Sequence, residues 1–135
     1  MRPDCQLRQI DLPVEPTTCA VQAQGNLDAA VEGSYFGLFF NQGQCCCAGS
    51  RLFVEDKVHD QFVEKMVKKA KSRKVGDPFD PAVEQGPQVS QDQFDRVMSF
   101  IESGKKDGAK LQCGGKRIGS KGYFIEPTIF TDVAD

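Results

Sequence analysis

Three stretches of this chain repeat apolar side chains at the spacing of one helix face, with short extended runs between them. The first stretch is Leu27, Ala30, Val31, Ser34, Tyr35, Leu38 and Phe39. The second is Val58, Phe62, Val63, Met66, Val67 and Ala70, and the third is Phe94, Val97, Met98 and Ile101. A 3-4-3-4 spacing gathers such residues on one side of an α-helix, and that side must be covered by another element. Residues 51–54, 109–113, 123–125 and 128–130 read as extended segments, the last two flanking Pro127. Strands alternating with helices imply an α/β architecture built in layers.

Local punctuation supports these boundaries. Asn26 suits an N-cap, and Asp28 suits the first turn beside the positive end of the helix dipole. Asn41-Gln42-Gly43 is expected to end the first helix, with Gly43 in a left-handed conformation. Gly76-Asp77-Pro78 stops the second helix, and residues 76–89, rich in Gly and Pro, read as a long ordered loop. Ser90 and Gln93 form a capping-box pattern that opens the third helix, which ends near Gly104 or Gly108. Gly114-Gly115 marks a turn. Residues 1–25 contain Pro3, Pro13 and Pro16 and keep no period. They are expected to be irregular, with at most a short strand.

Charge excludes some partners. The net charge is −2, so no strong field selects nucleic acid or an anionic membrane. Lys65, Lys68, Lys69, Lys71, Arg73 and Lys74 form a basic run that reads as a solvated helix face and C-terminus. No apolar run approaches the ~20 residues of a membrane span. Residues 1–24 carry Asp4, Asp11 and Glu15 and lack the apolar core of a secretory signal.

Six cysteines stand at positions 5, 19, 45, 46, 47 and 113. Three are contiguous, and sequence neighbours bridge poorly, so reduced thiols in a reducing intracellular compartment, cytoplasmic or mitochondrial, are expected. No metal site is expected, because there is no Cys-x-x-Cys pair and His59 is the only histidine. His59 itself is expected on an exposed helix start. Cys45-Cys46-Cys47 follows an apolar helix pattern and the turn residue Gly43. A sulfur presented there is either a nucleophile or one of the many buried structural cysteines.

The stretch Phe39-x-x-x-Gly43-Gln44-x-Cys46-x-Ala48 resembles the active-site cysteine signature of the aldehyde dehydrogenase superfamily. Glu84-Gln85-Gly86-Pro87-Gln88, Glu102-Ser103-Gly104-Lys105-Lys106-Asp107-Gly108-Ala109-Lys110 and Gly122-Tyr123-Phe124-Ile125-Glu126-Pro127-Thr128 extend the likeness, in order. The triple cysteine most resembles the mitochondrial-type and retinal-type NAD-dependent members. Residues 26–135 thus look like part of the family's catalytic domain, behind a non-family leader at 1–25.

The resemblance implies NAD(P)-dependent oxidation of aldehydes to carboxylic acids. Cys46 would attack the aldehyde to give a thiohemiacetal. Hydride transfer to NAD, or to NADP in some members, would leave a thioester, which water activated by a glutamate would release. Cys46 N–H would join the oxyanion hole, and Phe40, Cys45 and Cys47 would line the substrate channel. Gln93 matches a position near the cofactor, although its capping role explains it equally well. Glu84 and Gln85 are expected to serve packing and loop order. The family's general base lies in a Glu-Leu-Gly-Gly-Lys segment with no match here, so Glu15 does not inherit that role. The oxyanion asparagine and most of the cofactor site belong to a preceding nucleotide-binding domain, and a further ribose-binding glutamate is expected beyond Asp135. The family assembles as homo-oligomers. The alternative reading is a non-catalytic fragment, inert or associating with full-length subunits. A third is a bare reactive thiol.

Overall fold

Among the described residues, five short strands lie side by side in the order β2-β3-β1-β5-β4, and the helices close over them. The computed structural model describes residues 7–11, 18–22 and 24–133, with backbone alone at 7, 8, 10, 11 and 18–20. The elements run β1 (Leu7–Asp11), β2 (Thr18–Val21), α1 (Leu27–Phe39), a 3-10 turn (Phe40–Gly43), β3 (Arg51–Glu55), α2 (Asp56–Ser72), α3 (Gln91–Lys106), β4 (Lys110–Cys113) and β5 (Ile129–Thr131).

β3 is parallel to β2, from Thr18↔Arg51 to Val21↔Val54. It is antiparallel to β1, from Leu7↔Glu55 to Asp11↔Arg51. β1 pairs on its other side with β5, and β5 with β4, both antiparallel. The irregular reading of residues 1–25 is therefore corrected, since two strands lie within them. β1 is hydrogen-bonded on both sides by strands far along the chain, and its sequence Leu7-Arg8-Gln9-Ile10-Asp11 lacks the apolar–polar alternation that announces a strand.

The helical stripes fall where their spacing puts them. Asn26 caps α1 by accepting a hydrogen bond from the Ala29 N–H at 3.1 Å. Val31, Tyr35, Leu38 and Phe39 are its buried face. In α2, Phe62, Val63, Met66 and Ala70 are buried against Leu52 and Val54 of β3. Each fully buried large side chain there stabilises the fold by about 1.5–3 kcal/mol relative to water. Phe94, Val97 and Ile101 of α3 form a second cluster with Ile125 and Phe130. Among the described residues no helix is long and apolar enough to cross a membrane.

Three local expectations need correction. His59 is buried, only 3% exposed, rather than on an exposed helix start. It continues the stripe of Phe62, Val63 and Met66 one turn earlier, so the helix period carries it inward. Its Nδ1 meets Asp60 Oδ1 at 2.8 Å, and its Nε2 has no hydrogen-bond partner. Next, α2 ends at Ser72, before Gly76, because Arg73 leaves helical dihedrals with ψ at 119°. Finally, the capping box is half made. Ser90 Oγ accepts from the Gln93 N–H at 3.2 Å, but the return bond from the Gln93 amide is not formed.

Candidate active site

α1 runs straight into the cysteines, and the backbone between them is strained. Asn41, Gln42 and Gly43 take φ of 49°, 58° and 77° in succession. Gly43 adopts this conformation freely, as expected of it, whereas each of the other two costs about 1–2 kcal/mol. Neighbouring bonds offset that cost. Asn41 Nδ2 donates to Gln44 O at 3.0 Å, Gln44 Oε1 accepts from the Val89 N–H at 3.1 Å, and Gln88 Nε2 donates to Gln42 O at 3.4 Å. The long loop before α3 is thus laced to the turn before the cysteines.

The chain then turns again. Ala48 N–H donates to Cys45 O at 3.0 Å, which places Cys46 and Cys47 at the two central positions of a β-turn. Gly49 N–H donates to Gly37 O at 3.1 Å and pulls the segment back against α1. Cys46 and Cys47 are exposed, Cys45 is half-buried and Ala48 is buried. A sulfur at the corner of a tethered β-turn is open to a reagent on a fixed backbone, the geometry a nucleophilic thiol needs. Phe40, on the preceding turn, is half-exposed and stacks tilted on Phe36 with ring centroids 5.2 Å apart.

The three thiols are not equivalent. Cys45 Sγ and Cys47 Sγ are 3.4 Å apart. The Cys47 backbone N–H, and then the Cys47 side chain, hold the Cys45 thiol below its ordinary pKa. The Cys47 thiol is raised, first by its hydrogen bond to Cys45 and then by repulsion from a Cys45 thiolate. Near pH 7 only a few per cent of an ordinary thiol is thiolate. At that pH the lowered Cys45 carries the larger thiolate fraction and Cys47 the smaller. Iodoacetamide at about pH 7 is therefore expected to alkylate Cys45 faster than Cys47, with tryptic mass spectrometry as the readout; the reverse order contradicts the sulfur geometry. Cys113 is buried, and desolvation raises its thiol, so it should label only on unfolding.

Arg73 secures the end of α1, a role the basic run concealed. Its Nη2 donates to Phe39 O at 2.8 Å and Glu84 O at 3.1 Å. Its Nη1 donates to the Tyr35 hydroxyl at 2.9 Å, and its Nε to Gln85 Oε1 at 2.9 Å. Gln85, buried, passes the connection on to Ile125 O at 3.1 Å, so the loop-ordering role expected of it holds. Lys65 and Lys69 pair with Asp28 and Glu32 of α1. Arg73→Ala is expected to cost about 2–3 kcal/mol in urea unfolding, the lower part of what several charged hydrogen bonds would contribute if fully buried. Lys at this position should restore only part of that, because it lacks the planar fork.

Gln93 is set apart from the thiols. Its half-buried side chain lines a cavity of about 40 Å³ with Leu38, Phe39, Gln42, Gly43, Gln88 and Val97, among others, and no cysteine lines it. Gln88 Oε1 is buried with no hydrogen-bond partner. Glu15 and Cys5 lie outside the described residues.

Comparison with known proteins agrees with this arrangement. A profile of the aldehyde dehydrogenase family matches residues 17–135, beginning within the segment 1–25. The chain is 58% identical over 115 residues to aldehyde dehydrogenase 9 of Polyandrocarpa misakiensis, covering 85% of this chain and 50% of that one. It is 57% identical over 117 residues to retinaldehyde dehydrogenase 3 of Homo sapiens, covering 87% of this chain and 23% of that one. The fold superposes on the NAD+ complex of an aldehyde dehydrogenase from Bacillus cereus with a TM-score of 0.85 at 42% identity, covering 87% of this chain and 24% of that one. The chain thus spans half the length of one of these relatives and about a quarter of the other two.

Proposed function

The chain belongs to the aldehyde dehydrogenase family, and on that premise we propose that it carries the nucleophilic part of an NAD(P)-dependent oxidation of aldehydes to carboxylic acids. The observation that carries this reading is Cys46 exposed at the corner of a β-turn, itself tethered to α1 and to the loop before α3. Cys46 acts as thiolate. Its sulfur adds to the aldehyde carbon, a C–S bond forms, and the carbonyl π pair moves onto oxygen. The Cys46 backbone N–H stabilises the oxyanion, and protonation gives the thiohemiacetal. Cys45, Cys47 and Phe40 line the approach as soft and apolar walls.

The cavity beside Gln93 does not by itself fit NAD. The cavity that Gln93 lines, about 40 Å³, has room for water, whereas sites for ligands of drug size run to roughly 300–1,000 Å³. The chemistry assigned to this chain's own residues therefore ends at the thiol adduct. In the family the oxidised adduct is a thioester, and active assemblies are oligomers of longer chains, which is how this chain would reach full activity.

The test uses an aliphatic aldehyde labelled with ¹³C at C1. Mixed with the reduced chain, it should give a protein-bound thiohemiacetal carbon signal that Cys46→Ser removes. With NAD added, this chain alone should give no steady NADH. A thiohemiacetal signal that survives Cys46→Ser contradicts the assignment.

A further inference from the structure

The cysteine turn gathers three sulfurs more closely than any nucleophile requires. All three Sγ atoms lie within 4.8 Å of one another, and one pair is 3.4 Å apart. Thiolates bound at a metal–sulfur distance of about 2.3 Å sit roughly 4.0 Å apart when three of them surround one ion in a plane. One separation lies below that value and none exceeds 4.8 Å, so small side-chain rotations suffice to close the site. The backbone beneath is already held by the Ala48 and Gly49 N–H bonds and by the Gln44 side chain. Cys46 and Cys47 open to solvent, which gives an ion its entry path.

The donor set indicates which ion. It holds three thiols and no imidazole or carboxylate. An all-thiolate set is soft, and it selects soft closed-shell ions such as Cu(I). Structural zinc takes four protein ligands, one more than this cluster offers, whereas Cu(I) is satisfied by three. We propose that Cys45, Cys46 and Cys47 form a three-thiolate site for Cu(I).

Copper enters and stays as Cu(I), so no electrons change hands. Three S–H bonds break, three Cu–S bonds form, and three protons pass to solvent. The resulting complex carries two negative charges and remains at the surface, where water solvates them. Proton release makes the affinity rise with pH. The site needs only the three sulfurs and goes beyond the aldehyde reading. One consequence ties them together: a copper-bound Cys46 has no free sulfur with which to attack an aldehyde.

The test titrates the reduced 135-residue chain with Cu(I) under anaerobic conditions, in competition with a chromophoric Cu(I) chelator. One equivalent should bind. Cys45→Ser, Cys46→Ser and Cys47→Ser should each weaken it by about 10²-fold or more, since losing a ligand costs at least the 10–100-fold of a second-sphere change. Cys113→Ala, checked for folding by circular dichroism, should bind as the parent does. X-ray absorption on the unaltered chain, which requires no variant to fold, should count three sulfur ligands. Parent affinity in any one of the three serine variants, loss of binding in folded Cys113→Ala, or a two-sulfur copper overturns the proposal.

Discussion

Cys46→Ser is expected to remove the fast phase in which p-nitrophenyl acetate acylates this chain, leaving only the slower reaction of the remaining thiols. An activated ester needs only a nucleophile: sulfur takes the acetyl group, and p-nitrophenolate leaves. No dinucleotide enters the reaction, so the measurement isolates the step assigned to this chain. Serine keeps the shape of the turn but holds its proton far above neutral pH, so the attacking anion almost vanishes. The substitution lies at an exposed turn position and removes no packed contact, so its thermal midpoint should match the parent's. Release of p-nitrophenolate followed by absorbance gives the rate. An unchanged rate would mean that another thiol does the work.

Gly114→Ala is expected to destabilise the chain by about 2–5 kcal/mol, summing a left-handed backbone penalty and overpacking. Gly114 has φ of 75°, and a Cβ there would lie 2.2 Å from Pro127 O and 2.8 Å from Pro127 C. Those are backbone atoms next to β5, and they cannot rotate away. Gly115 N–H donates to Thr128 Oγ1 at 2.9 Å, so the turn and the segment into β5 are locked together. A small domain is stable by only about 5–15 kcal/mol, so the variant should lose much of its margin in urea. Gly119, with φ of 67° and open space around it, is the matched control. Gly119→Ala should cost only the backbone term, about 1–2 kcal/mol. Equal losses at the two positions would contradict the close approach.

The helices were legible because their period survives in one dimension. Val31, Tyr35 and Leu38, or Phe62, Met66 and Ala70, need no partner to announce a face. Gly43 was legible for the same local reason. The strands of the first 25 residues were not, because β1 exists through pairing with β3 and β5, far along the chain. Arg73 was hidden in a run of lysines. Only the end of α2 brings its guanidinium to Phe39 O and Gln85. Gln42 in a left-handed conformation is stabilised by the loop before α3, which no local pattern reveals. For the site, the motif around Cys46 was legible as a resemblance. The packing of the three sulfurs was not, because it depends on the β-turn closed by the Ala48 N–H, and adjacent cysteines do not announce that turn in one dimension.

The proposed function rests on Cys46, among three adjacent thiols, being the one that reacts as a nucleophile toward carbonyl carbon. Limited acylation with p-nitrophenyl acetate, followed by peptide mapping of the acetyl group by tandem mass spectrometry, tests it most directly. The acetyl group is predicted on Cys46 in the first fraction of turnover, with Cys45 and Cys47 unmodified. Acetyl found first on Cys45, whose thiol Cys47 holds low, would contradict this assignment and move the nucleophile one residue back.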